Sequence, residues 1–395
     1  MTPLIRSILL GASGLVLVVF LVVGLFAERA IAPADDLPSL LDETSTTSQG
    51  VASTTPETSI EIELPTPKTF PVEVIEQPIT VPQVNEAIQE TIDTLNDVLA
   101  PEPGVELPSN VPTDLSSLNE TVRKAIVNII CTTDGTGPFN PISASGVIID
   151  EKGVILTNAH VAQYYLLKDY PAPDFVECTI RTGSPARAMY TSELMFLPPS
   201  WIEANALKIT QENPTGNGDH DYALLRIIGT TNPDGVLPST FPYLALSEEQ
   251  PAAAQEVLIA GYPAGFLGGI TIQKDLYAAS SIARIGELYT FGGNTLDLFS
   301  LGGSVVAQQG SSGGAVASRE GTLTGLIVTS SDAPNTASRD LRALAVTYIQ
   351  RDFIRELGKS IQIYLAGDLK QQTESFRIGT APTLKQSLVN ALEGR

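Results

Sequence analysis

Apolar residues fall along this chain in three textures, and each predicts a different kind of element. Ile8 to Ala27 is an unbroken run of twenty residues without a charge, long enough to cross a bilayer core as a helix. From residue 28 to about 118 the apolar positions thin out among Thr, Ser, Pro and Glu, as in Thr44-Ser45-Thr46-Thr47-Ser48 and Leu64-Pro65-Thr66-Pro67. Such a stretch buries too little apolar surface to fold alone and reads as a disordered linker. One interruption differs: Ile88, Ile92, Leu95 and Leu99 recur at four-three-four spacing, which puts them on one face of a short helix over 84–100. That helix is either a docking or oligomerising surface or a marginal linker helix.

From Asn119 the texture changes to short apolar runs punctuated by Gly, Pro, Asn and Asp. The runs Ala125–Cys131, Gly146–Ile149, Val154–Leu156, Val176–Ile180 and Tyr222–Ile228 read as strands, followed by Val257–Gly261, Ile270–Ile272, Leu323–Val328 and Ala343–Thr347. Strands of this length and spacing predict an all-β protein, a sandwich or a pair of barrels. A proline-containing break from Asn232 to Pro242 divides them into two groups, so two barrels are expected, over 119–232 and 233–357. Tyr348–Leu357 has a helical pattern, and the 38 residues from Gly358 to Arg395 form a tail too short for another ordinary domain.

Charge sharpens this division. The formal net charge is −21, and residues 28–118 alone hold 17 acidic residues against only Arg29 and Lys68. The linker is therefore acidic and self-repelling, and nothing offers the basic footprint that nucleic acid requires. Arg6 and the amino terminus precede the apolar run and acidic residues follow it, which orients the N-terminus to the cytoplasm and the body outside. A cleaved signal ending near Ala32-Pro33-Ala34 is the alternative, and it also exports the body. Cys131 and Cys178, the two cysteines, suit such a compartment either as a disulfide or as two buried thiols. With only two Cys and two His and no ligand spacing, neither a metal nor a cofactor is expected. Gly265-Phe266-Leu267-Gly268-Gly269-Ile270 lacks the Lys-Ser/Thr of a phosphate loop.

The scarcity of histidine focuses the search for chemistry. A serine hydroxyl becomes a nucleophile only beside a base, and the base needs a group to orient it. His160 follows the apolar run Val154–Leu156, where a strand end can present it to a cleft. His220 sits among Asp219, Asp221 and Tyr222 in a polar approach to the next strand. Ser312 lies in Gly310-Ser311-Ser312-Gly313-Gly314, where glycines permit positive φ and close approach of a substrate backbone.

Thr157-Asn158-Ala159-His160-Val161, Asp221-Tyr222-Ala223-Leu224-Leu225 and Gly310–Gly314 followed by Ala315-Val316, in that order, resemble the histidine, aspartate and serine motifs of the trypsin-like (chymotrypsin-fold) serine peptidases, especially their bacterial HtrA/Deg branch. The resemblance spans roughly 120–357. It implies two six-stranded antiparallel β-barrels with a C-terminal helix, and peptide-bond hydrolysis by a His160, Asp221, Ser312 triad. Asp219 is the spare candidate for the acid. The N–H groups of Gly310 and Ser312 would form the oxyanion hole. The family's pocket-base position falls at Val306, which carries no acid to hold Lys or Arg. With Ile327 and Val328 on the adjoining strand, an apolar P1 residue is expected. Ser311 stands where digestive relatives carry an Asp that captures a new N-terminus, so activation by that route is not expected. The family's barrel would also let Cys131 and Cys178 pair.

The expected protein is thus a single-pass serine endopeptidase of a bacterial cell membrane, its body extracytoplasmic, acting on protein or peptide substrates, and oligomeric only if the 84–100 segment makes it so. The tail is too short for the PDZ domain that branch commonly carries. The connection Pro185–Asp219, with the only tryptophan, Trp201, is expected to be a long insertion near the cleft or a partner surface. A non-catalytic peptide-binding module on the same scaffold is the rival reading.

Overall fold

The protein is described by a computed structural model over residues 114–395, except 136, 138, 212–215 and 331–337. The apolar run 8–27, the linker up to 113 and the 84–100 segment lie outside the described residues. Among the described residues no helix is long and apolar enough to cross a membrane.

Helix α1, Leu115–Ala125, opens on a reciprocal cap. Asp114 Oδ1 accepts the Ser117 N–H at 2.8 Å while Ser117 Oγ faces the Asp114 N–H. Leu118, Val122 and Ala125 recur on its buried face. This helix starts ahead of Asn119, and Ala125 ends it rather than starting a strand.

Six strands then close a barrel: β1 (Ile126–Thr133), β2 (Ile142–Asp150), β3 (Val154–Thr157), β4 (Val176–Thr182), β5 (Arg187–Phe196) and β6 (Ala223–Thr230), in the order β1-β2-β3-β6-β5-β4. Closure leaves no sheet edge exposed. Cys131 on β1 lies directly opposite Cys178 on β4, and the two form a disulfide across 47 residues. Closing a loop of that size removes about 4 kcal/mol of unfolded-chain entropy in the loop-closure account.

The expected insertion at 185–219 is largely structure. It supplies β5, helix α3 (Pro199–Asn205) and a 3₁₀ turn (Ala206–Thr210), with α2 (Ala159–Leu166) lying earlier, between β3 and β4. The first residues of β5 face solvent, whereas Leu194, Met195 and Phe196 are buried, so no apolar run marked it. Trp201 is core, 5% exposed.

The second sheet departs from a closed six-stranded barrel. It has seven strands: β7 (Glu256–Gly261), β8 (Ala279–Arg284), β9 (Leu288–Tyr289), β10 (Leu298–Gly302), β11 (Ala315–Ala317), β12 (Leu323–Ser330) and β13 (Leu341–Ala345). Their order is β8-β7-β11-β12-β13-β10-β9. The two edges are consecutive in the chain. Ile285–Glu287 interrupts them because Ile285 turns to bond Gln255 and Ala254, while Gly286 and Glu287 bond Ser300. Ile270–Ile272 is not a strand. It lies in helix α4 (Gly269–Lys274), which has no buried residue.

The C-terminal helix is present as α5 (Val346–Leu357), stopped by Gly358 in the left-handed conformation (φ 69°). The tail beyond it is three more helices: α6 (Ile361–Ala366) and α7 (Leu369–Gly379), capped by Ser360 and Asp368, then α8 (Ala381–Leu392). They return to the first barrel, α7 along β5 and α8 along the 206–210 turn. The joint is aromatic. Phe196 meets Phe353 at 4.8 Å and Phe376 at 6.1 Å, and Phe353 meets Tyr364 at 5.3 Å. Such pairs add about 1 kcal/mol each beyond their buried area.

Candidate active site

The site forms where short, buried β3 gives way to α2. Asn158 occupies the N-cap position of α2, but its amide donates to the Asp221 backbone carbonyl at 2.8 Å instead of capping the helix. The first N–H groups of a helix lack partners within it. Here the Asp221 carboxylate supplies one, Oδ1 accepting the His160 N–H at 2.9 Å. Its other oxygen, Oδ2, lies 2.7 Å from His160 Nδ1. The imidazole is thus oriented through its Nδ1 side, with Asp221 nearly buried and His160 half-buried. Burial by itself lowers the imidazole pKa. The charge and hydrogen bond of Asp221 outweigh that, and His160 titrates above its ordinary 6.5.

Asp219, the alternative acid, lies elsewhere, its carboxylate taking the Tyr348 hydroxyl. His220 also turns away from His160, to Asp352 on α5.

Ser312 comes from the loop before β11 in the second sheet, and one residue that sequence patterns did not single out joins it to the first barrel. Ser145 on β2 is fully buried. Its N–H donates to the Ser312 carbonyl at 2.8 Å, and its carbonyl accepts Thr157 Oγ1 at 2.8 Å. Its hydroxyl donates to Gly310 O at 2.7 Å and accepts the Tyr262 N–H at 2.9 Å. One serine thereby links the Ser312 loop, the start of the second sheet and the strand leading to His160. The only sequence signal was a Ser-Gly pair inside an apolar strand.

Two glycines make the loop possible. Gly313 has φ 82°, and a Cβ there would lie 2.6 Å from Thr157 Oγ1 and overlap the Ser145 carbonyl. Gly310 has φ 93°, and its Cβ would lie 2.6 Å from the Tyr262 carbonyl. The intervening loop bonds alternate. Ser311 N–H reaches Gln308 O and Gly313 N–H reaches Ile327 O, whereas the N–H groups of Gly310 and Ser312 have no acceptor among the described residues. Neither Ser312 Oγ nor His160 Nε2 makes a hydrogen bond among the described residues. The chain thus unites His160 with Asp221, while the serine–histidine hydrogen bond is open.

The three expected pocket residues, Val306, Ile327 and Val328, are all buried, at 0%, 1% and 4% exposure. Ile327 brackets the Ser312 loop through its backbone, and a Cβ on Gly218 would contact Val328 at 3.5 Å. Ser311 is buried, and its hydroxyl has no hydrogen-bond partner among the described residues.

Solved structures with a similar arrangement include an inactive form of the Rv3671c protease from Mycobacterium tuberculosis, 17% identical, covering 63% of this chain and 92% of that one, with a TM-score of 0.39. A serine endoprotease from Yersinia pestis is 20% identical over 63% of this chain and 68% of that one, with a TM-score of 0.38. No curated protein matches the chain. Residues 144–326, which reach from within β2 to within β12 and contain His160, Asp221 and Ser312, match the family model of the trypsin-like peptidase domain.

Proposed function

We propose that the chain is an outward-facing peptidase held to a bacterial cell membrane by the apolar run Ile8–Ala27, and that Ser312, His160 and Asp221 are its triad, with an apolar P1 preference. The observation that carries the catalytic assignment is the double engagement of His160 by Asp221. It fixes the Nδ1–H tautomer and leaves Nε2 free to act as a base. Substrate binding brings Nε2 to the Ser312 hydroxyl; such catalytic hydrogen bonds are often open before substrate arrives. Ser312 Oγ then attacks the scissile carbonyl carbon as His160 takes its proton. The carbonyl oxygen becomes an oxyanion received by the Gly310 and Ser312 N–H groups, a role in which one donor is worth about 3 kcal/mol. His160 passes the proton to the leaving amine, and water releases the acyl group by the same steps in reverse order.

The membrane assignment is supported by the length and charge flanks of the 8–27 run. The Cys131–Cys178 disulfide supports an oxidising compartment. The pocket assignment is supported by apolar Val306 at the position where an acid would select Lys or Arg, and by buried Ile327 and Val328.

Two measurements test the reading. A fluorophosphonate should label the wild-type chain at Ser312, and a peptide library should be cut after small or medium aliphatic residues. No labelling would favour the binding-module reading, and preferred cleavage after Arg would overturn the pocket assignment. The pH profile follows from the geometry. The base must be neutral, and its proton is held more tightly than in free histidine. kcat/KM should rise with pH and reach half its plateau above pH 6.5. A half-point below that value would mean that burial of the imidazole outweighs its stabilisation by Asp221.

A further inference from the structure

Within the triad reading, one question is what fixes Asp221 itself. Among the described residues both hydrogen bonds to its carboxylate come from His160, and the Asn158 amide holds only the Asp221 backbone carbonyl. The carboxylate's place is set by the backbone that delivers it. That backbone is a tight turn closed by the Asp221 N–H to the Gly218 carbonyl at 3.1 Å, followed by the Tyr222 N–H to the His220 carbonyl at 2.8 Å. His220 stands third in the turn with φ 57°, a left-handed conformation usually left to Gly or Asn. A non-glycine residue persists there only when its surroundings hold it.

The hold comes from one face of α5. Tyr348 and Asp352, four residues apart, project side by side. The Tyr348 hydroxyl accepts the His220 N–H at 3.0 Å and donates to Asp219, gripping two consecutive residues of the turn. Asp352 Oδ2 takes His220 Nδ1 at 2.8 Å. The grips are themselves anchored. Asp352 is fully buried, with Arg355 donating to its other oxygen at 2.6 Å. The Tyr348 ring packs edge-on against Phe291 at 5.1 Å. Immediately after the acid, Tyr222 is fully buried beside Phe196.

We propose that Tyr348 and Asp352 are positioning residues for catalysis: through the His220 turn, α5 holds the Asp221 carboxylate in register with His160. The inference rests on Asp221 being the acid of the triad. His220, Asp352 and Glu356 also bring their ligand atoms within 4.8 Å of one another. Arg355 already occupies one Asp352 oxygen and the Ser200 hydroxyl donates to Glu356, so the cluster is read as a clamp and not as a metal site.

The test uses the full chain with Tyr348→Phe, Asp352→Asn and His220→Asn, the last keeping a residue that tolerates the left-handed turn while removing the ring. Rates are counted per fluorophosphonate-titratable site, so that unfolded protein does not enter, and the low-field NMR signal of the His160 Nδ1 proton is followed in parallel. Tyr348→Phe and Asp352→Asn should each lower kcat about 10- to 100-fold, the cost of a misplacement near 1 Å, with KM changed less than about twofold. The low-field signal should shift or broaden. Ile361→Val, at a buried position of α6 away from the turn, should lower the melting temperature and leave kcat per site unchanged. Unchanged kcat and an unchanged proton signal in both Tyr348→Phe and Asp352→Asn would overturn the proposal, even if both variants melt earlier. Should Asp352→Asn fail to fold, Tyr348→Phe decides. Asp221→Asn separates the two readings: if it retains full activity the triad assignment has failed, and if it is inactive while the clamp variants are normal only the clamp has failed.

Discussion

Ser312→Ala is expected to lower kcat by about 10⁶-fold, the scale seen when a triad nucleophile is lost. The size follows from what remains. Without Oγ no acyl-enzyme can form, and His160 has only bulk water to activate. The Gly310 and Ser312 N–H groups survive the substitution because alanine keeps its amide, so a residual acceleration of about 10³ to 10⁴ over uncatalysed hydrolysis should persist. KM should change little, since alanine leaves the neighbouring backbone intact. The fold should also tolerate it, because Ser312 Oγ makes no hydrogen bond among the described residues, whereas the carbonyl that Ser145 holds is backbone. Single-turnover release from a fluorogenic peptide measures the loss. A decrease smaller than about 10³-fold would mean that another group is the nucleophile.

Asp221→Asn should lower kcat by about 10⁴-fold with the fold preserved. An amide at this position is nearly isosteric, yet it cannot serve both contacts as the carboxylate does. The carboxylate accepts from the His160 N–H and from Nδ1 at once. An asparagine oxygen can accept one of these, and its NH₂ must then face the other. With the oxygen on the backbone N–H, the NH₂ faces Nδ1 and favours the tautomer whose proton sits on Nε2, where a base is needed. The stabilisation of the imidazolium is lost as well. Asp219→Asn should cost far less, since Asp219 receives Tyr348 and does not touch His160. Comparable losses from both substitutions would sink the assignment of Asp221.

The candidate site residues stood out in the sequence more than the elements that carry them did. Scarcity made His160 conspicuous among two histidines, and glycines flanked Ser312, because those residue types are dictated by the reaction and by positive φ and not by packing. The buried strands β1, β3, β6 and β12 showed as apolar runs because burial on both faces demands apolar side chains. Strands that are half exposed or very short did not. β5 begins with exposed Arg187, Ala188 and Met189, and β11 has three residues, below any useful periodicity window. Ile270–Ile272 has the composition of a strand, but it is a short exposed helix, because burial and not composition decides. Ser145 escaped because its importance is entirely in its four partners, three of which lie over a hundred residues away. The tail was too short to suggest a domain, and its helices serve instead as cover for a barrel made much earlier in the chain.

That return of the tail carries a consequence for how the enzyme is born. The first barrel is finished at Thr230, but α5, which bonds the turn before Asp221, and α7, which packs along β5, follow only from Val346 onward. Chains emerge from the ribosome N-terminus first, and domains fold as they appear. A nascent chain would therefore expose His160 and Asp221 before the segment that sets their alignment has been made. On the proposed clamp, His160 and Asp221 can come into register only after Val346–Leu357 has been made.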